Sequence, residues 1–139
     1  MDQQLIAQKL ESLRRCIQRV ESKMPEDIKS LMNDLDSQDI ISLNLTRAVQ
    51  MCVDIAAHWL AENSETLSPK TMGQTFEALA KAEVIDLSLS DRLRKSVGFR
   101  NVMVHSYDDI NWEIVFYICT NHLDDFRQFA SIFSTKISE

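Results

Sequence analysis

The sequence predicts an all-α fold, and three observations carry that reading. Only two of the 139 residues are glycine and two are proline, so tight turns are scarce and long helices joined by a few loops are the economical arrangement. Apolar side chains make up 45% of the chain and recur three and four residues apart along nearly its whole length. No repeat, low-complexity tract or linker interrupts the pattern, and the length suits one core, so residues 1–139 are expected to form a single helical domain.

The first helix is expected over residues 2–23, where Leu5, Ile6, Leu10, Leu13, Ile17 and Val20 form one stripe that Pro25 stops. A short helix near 26–34 has a weaker pattern. Ser37 can cap a long helix reaching about Asn63, lined by Ile40, Ile41, Leu45, Val49, Cys52, Ile55, Trp59 and Leu60. Pro69, after Ser68, marks the next start, and residues 72–84 carry Met72, Phe76, Leu79 and Ala80. Ser90 can cap a helix that ends near His105. The last helix is expected from Asn111 to about Lys136, with Trp112, Val115, Cys119, Leu123, Phe126 and Phe133 along one side. Five substantial helices and one short one result.

Charge and cysteine usage narrow the function classes. Asp54, His58 and similar residues interrupt the apolar runs before the roughly 18 residues of a membrane span, and "MDQQLIAQKLESLRR" opens with acid and amides where a signal peptide has a basic start. A soluble cytoplasmic protein without membrane contact is expected. Cys16, Cys52 and Cys119 are odd in number and lack CxxC spacing, which fits buried, reduced thiols. A net charge of −6 opposes phosphate binding as a global field, so local clusters decide it. Two stand out: Arg14, Arg15, Arg19 and Lys23, which read as a solvated helix face, and Arg92, Arg94, Lys95 and Arg100.

The second cluster runs into "FRNVMVHSYDDI", residues 99–110. At about 100° per residue, Arg100 shares the core side with Leu93, Val97 and Val104, where an arginine must be paired or look into a cleft. Gly98, Asn101, Val102 and His105 fall on the opposite side. His105 lies about 140° from Arg100 on an ideal helix, which leaves two devices to unite them. Ser106, Asp108, Asp109 and Asn111 can end the helix and swing Tyr107 out of phase. Alternatively, a second copy of the chain can pack on the Gly98/Val102 face and lend its residues to the same cleft.

Taken singly, a histidine is usually an interhelical hydrogen bond and an arginine a salt bridge. Together, a group that moves protons near neutral pH, a fixed cation for a phosphate and an amide for a hydroxyl or phosphate oxygen are the parts of a metal-free RNA cleavage. Tyr107 is expected near enough to Arg100 for its phenolate to be favoured. A second polar stripe, Arg47, Gln50, Asp54 and His58, reads as an interhelix hydrogen-bond ladder. Asp54 and His58 could instead be two metal ligands with His105 or His122 as a third, but nothing in the spacing fixes that third ligand. No metal and no cofactor is expected.

Arg100, Asn101, His105 and Tyr107 spell R-N-x-x-x-H-x-Y, which resembles the signature of the HEPN superfamily, specifically the HepT-like toxins of MNT–HEPN modules. "AVQMCVDIAAHWLAEN" resembles that family's central helix, "FEALAKAEVI" its connecting helix and "LRKSVGFRNVMVHSYDDIN" its most recognisable block. The likeness covers about residues 40–130, while residues 1–39 match only as a generic leading helix. It implies an up-and-down bundle that forms a homodimer, with both motifs facing one cleft at the subunit interface. It also implies a metal-independent endoribonuclease acting on transfer or messenger RNA, neutralised by an MNT-type nucleotidyltransferase. By position, Arg100 would stabilise the phosphate, His105 would serve as acid and base, Asn101 would orient the site, and Tyr107 would be the hydroxyl that receives AMP. Asp54 matches an acidic, supporting position of the central helix loosely. The alternatives are a non-catalytic HEPN module that binds nucleotide or assists a nucleotidyltransferase, and a purely structural helical dimer.

Overall fold

A computed structural model describes residues 2–63 and 69–138. Among them every regular element is helical: α1 (Gln3–Lys23), α2 (Ile28–Met32), α3 (Leu35–Asn63), α4 (Met72–Lys81), α5 (Leu87–His105), a 3₁₀ turn (Tyr107–Asp109), α6 (Trp112–Asn121) and α7 (Leu123–Ser138). The all-α expectation holds, with two of the expected helix starts and one expected continuity corrected.

Acidic caps, rather than serines, start the two helices that matter most. α3 begins before Ser37, because Asp34 accepts from the Ser37 amide at 3.1 Å and from its hydroxyl at 2.8 Å. α5 begins before Ser90, because Asp86 accepts from the Leu89 amide at 2.7 Å. Ser90 is buried instead, donating to the Phe76 carbonyl at 3.1 Å and so tying α5 to α4. A carboxylate earlier in the chain satisfies the orphan amides of the first turn and suits the positive end of the helix dipole. Hydrogen bonds from these amides hold the Asp34 carboxyl below the usual carboxylate range. Ser68 lies outside the described residues, and Thr71 caps α4 two residues after Pro69.

The last helix is two. His122 leaves helical geometry at φ −126°, ψ 6°, and its ring stands 3.3 Å from the Asp125 carboxylate at the start of α7. The apolar stripe hides this break. Val115, Cys119, Leu123, Phe126, Ala130 and Phe133 are all buried, and their spacing stays in helical phase across it.

α3 is the spine. It packs on α1 along most of its length and also meets α2, α4, α5 and α7, while α4 lies on α5. Its length and composition would suffice to cross a membrane, contrary to the expectation that polar residues break it too early, but 56% of its apolar window is buried in the bundle. Fully buried Phe76, Phe129 and Phe133 join α4 to α7, with Phe76 edge-on to Phe129 at 6.4 Å and Phe129 tilted on Phe133 at 4.7 Å. Cys16, Cys52 and Cys119 are free and buried, as expected, and burial raises all three thiols, Cys119 to about 12.

Candidate functional site

The motif occupies the last turn and a half of α5 and the 3₁₀ turn after it. The buried stripe of α5 runs through Leu89, Leu93, Ser96 and Met103. Arg100 lies between Ser96 and Met103 on that stripe, so its core-side placement holds. Of the companions expected for it, Leu93 is buried and Val97 is half-buried against the core, but Val104 is 45% exposed. The stripe is held to α3 by a contact between the Thr46 hydroxyl and the Met103 sulfur at 3.8 Å.

Arg100 makes one hydrogen bond, from its terminal nitrogen to the Asn101 side-chain oxygen at 3.0 Å, and its Nε is buried without a partner. An unsatisfied buried donor on a guanidinium costs about 1–3 kcal/mol or more, so this is not a side chain placed for stability. Its basic neighbours are differently used. Arg92 bonds Asp125 at 2.8 Å and also Ser88, and Arg94 bonds Glu77 at 2.7 Å. Lys95, like Arg100, has no ion pair among the described residues.

The opposite side of α5 is bare. Gly98, Asn101, Val102 and His105 are exposed, and a Cβ added at Gly98 would meet nothing within 4 Å. His105 makes no hydrogen bond or ion pair among the described residues. Helix α5 stops just behind it because Ser106 adopts φ −145°, ψ 51° while its amide still bonds the Val102 carbonyl at 2.8 Å. The Ser-Asp-Asp-Asn run thus ends the helix where the sequence predicts.

That break turns Tyr107 toward α3. Its hydroxyl donates to Oδ1 of Asp39 at 2.7 Å, and its ring stands edge-on to Trp112 at 6.1 Å and 72°. The expected phenolate-favouring environment is absent. Burial is the main cause that raises the phenol above its ordinary value, and the Asp39 carboxylate, as acceptor and as negative charge, adds to it. The Ser42 hydroxyl, near enough to oppose the shift in part, forms no hydrogen bond of good geometry. Asp39 and Trp112 are the site residues that sequence reasoning missed. Trp112 reads as core periodicity, and the Asp39 pairing spans 68 positions, so no local spacing signals it.

The polar stripe of α3 is closed by its own neighbours. Asp54 accepts from Gln50 at 2.8 Å and pairs with Lys9 of α1 at 3.4 Å, while His58 is exposed. Eight residues of helix, about 12 Å, separate Asp54 from Thr46, where α3 meets the motif helix. Among the described residues no three His, Cys, Asp or Glu side chains converge as a metal site requires, so Asp54 and His58 gain no third ligand from them.

A profile of the family described as ribonuclease HepT-like matches residues 11–132. The chain belongs to that family. It is 34% identical over 132 residues to the mRNA nuclease HepT of Shewanella oneidensis, covering 95% of this chain and 98% of the relative. The solved structure of the tri-AMPylated Shewanella oneidensis HEPN toxin with its MNT antitoxin superposes with a TM-score of 0.88 at 34% identity, over 97% of this chain and 98% of that one. A toxin–antitoxin complex with AMP-PNP superposes equally well, with a TM-score of 0.88 at 33% identity over 95% and 98% of the two chains. This HepT-like chain therefore carries its motif in the scaffold that the resemblance implied, and the likeness extends through residues 11–39, beyond the segment the motifs alone covered.

Proposed function

We propose that this chain is the toxin of an MNT–HEPN module: a metal-independent endoribonuclease, neutralised by a nucleotidyltransferase antitoxin that attaches AMP to Tyr107. The observation that carries the reading is the Arg100–Asn101–His105 group, in which a cation with an unpartnered Nε and an imidazole without a partner among the described residues stand at one helix end. The family membership and the nuclease and AMPylated-toxin relatives support it.

In the reaction, His105 takes the proton of the RNA 2′-hydroxyl as that oxygen attacks the adjacent phosphorus. The bond from that phosphorus to the 5′-oxygen of the next nucleotide breaks, and the departing 5′-oxygen takes up a proton from water to leave as a hydroxyl. Arg100 stabilises the charge that builds on the phosphorane oxygens, and Asn101 holds the guanidinium in place. Arg100 and His105 point to different sides of α5, so the cleft is completed by a second copy packed on the bare Gly98/Val102 face. Each chain then offers its Arg100 and His105 to a shared groove. Asp54 supports this arrangement at a distance by holding α1 to α3. AMP on Tyr107 adds negative charge and bulk at the helix end that RNA must reach. The protein works in the cytoplasm, where its three buried thiols stay reduced.

The test is cleavage of RNA by the purified chain in EDTA. Activity should persist, and the 5′ fragments should end in a 2′,3′-cyclic phosphate. Loss on chelation with rescue by Zn²⁺ or Mn²⁺ would overturn the mechanism.

A further inference from the structure

Two contacts fix Tyr107, and RNA cleavage uses neither. The hydroxyl donates to Asp39 at 2.7 Å and the ring leans edge-on against Trp112, so both ends of the side chain are held while 39% of it stays exposed. Asp39 sits in the second turn of α3, is exposed, and has no other side-chain partner among the described residues. An exposed carboxylate is ordinarily left to water; here it accepts one phenolic proton donor.

That pairing matters to a phenol that must act as a nucleophile. With a reference pKa of about 10, only a small fraction of tyrosine is ionised near neutral pH, and burial in this site lowers the fraction further. The proton therefore has to leave as the new bond forms, and it needs an acceptor already in hydrogen-bond contact.

We propose that Asp39 is that acceptor, so that the toxin itself supplies the proton-accepting residue for AMPylation of Tyr107. The inference rests on the modification assigned above. In the step, Oη of Tyr107 attacks the α-phosphorus of ATP. The Oη–phosphorus bond forms while the bond from that phosphorus to the oxygen bridging to the β-phosphate breaks. Pyrophosphate leaves, and the phenolic proton passes to Oδ1 of Asp39 and then to water. Protein kinases handle a substrate hydroxyl the same way, through an aspartate that accepts its proton. The antitoxin then has only to bring ATP and its metal to an acceptor that is already oriented.

The experiment follows AMP incorporation by intact mass, with the purified toxin, its MNT antitoxin and Mg–ATP, at several toxin concentrations. Asp39→Asn keeps a carbonyl oxygen to orient the phenol but takes up no proton. Its kcat should fall about 10²-fold, within the usual range for a lost general base, with KM for the toxin little changed. Asp39→Ala should fall as far, and Asp39→Glu should recover part of the rate. Unchanged melting temperatures show that the variants are folded. Asp39→Asn modified at the wild-type rate, or a loss confined to KM, would overturn the proposal while leaving the modification site intact. Wild-type toxin without AMP on Tyr107, or Tyr107→Phe modified as fully as wild type, would overturn the modification reading and the role of Asp39 with it.

Discussion

Two regions of this molecule place polar side chains on otherwise apolar helices, and they treat them in opposite ways. Along the α1–α3 seam, Asp54 is met by Gln50 at 2.8 Å and by Lys9 at 3.4 Å. At the end of α5, Arg100 keeps a buried Nε with no partner and His105 has none among the described residues. The first arrangement resolves its charges within the chain and stabilises the bundle modestly, since partly exposed ion pairs contribute about 0–1 kcal/mol. The second leaves its charges for something outside the chain. On these two helix faces, the polar residues left unsatisfied by their neighbours are the ones assigned to RNA.

Arg100→Ala gives the largest contrast. Cleavage should fall about 10²–10³-fold, the usual loss for a transition-state charge donor, while the melting temperature holds or rises, because the change removes an unsatisfied buried donor and no ion pair. A clear drop in melting temperature would class Arg100 with Asp54 as a structural residue.

Phe129→Ala should do the reverse. It empties the aromatic contact between α4 and α7 and should lower stability by about 3–5 kcal/mol, read by chemical denaturation, with residual activity tracking the folded fraction.

Gly98 sharpens the comparison at the bare face. Among the described residues nothing lies within 4 Å of a Cβ added there, so Gly98→Trp should fold normally but run as a monomer in size-exclusion chromatography with light scattering, and lose cleavage. Gly98→Ala should keep the dimer and add up to about 1 kcal/mol of helix stability. A wild-type chain that is already monomeric at micromolar concentration would break the shared-cleft account.

The last contrast is confined to alkaline pH and belongs to a core thiol. Burial raises the Cys119 thiol from 9.0 to about 12. A group raised on folding contributes stability that is complete below its unfolded value and is lost as pH climbs toward its folded one. Stability should therefore decline between pH 9 and 12, and Cys119→Ala should flatten that decline. An unchanged slope would refute the assignment.

Apolar spacing made the helices legible, because a buried stripe repeats every three or four residues whatever lies far away in sequence. Helix starts were less so: Ser37 and Ser90 are good caps, but Asp34 and Asp86 stand just upstream and win. The break at His122 was silent because the stripe keeps its phase through it. Within the site, Arg100, Asn101, His105 and Tyr107 could be read as one motif, and so could the end of α5. Asp39 could not, since its bond to Tyr107 joins α3 to a turn 68 positions away.

His105, without a partner among the described residues at the end of α5, is the group that moves a proton in the proposed RNA cleavage. Single-turnover cleavage of RNA in EDTA by His105→Ala tests it most directly, beside wild type and with melting temperatures matched. The account predicts a loss of about 10²–10⁴-fold with no 2′,3′-cyclic phosphate product formed at the wild-type rate. Cleavage by His105→Ala as fast as wild type would contradict it.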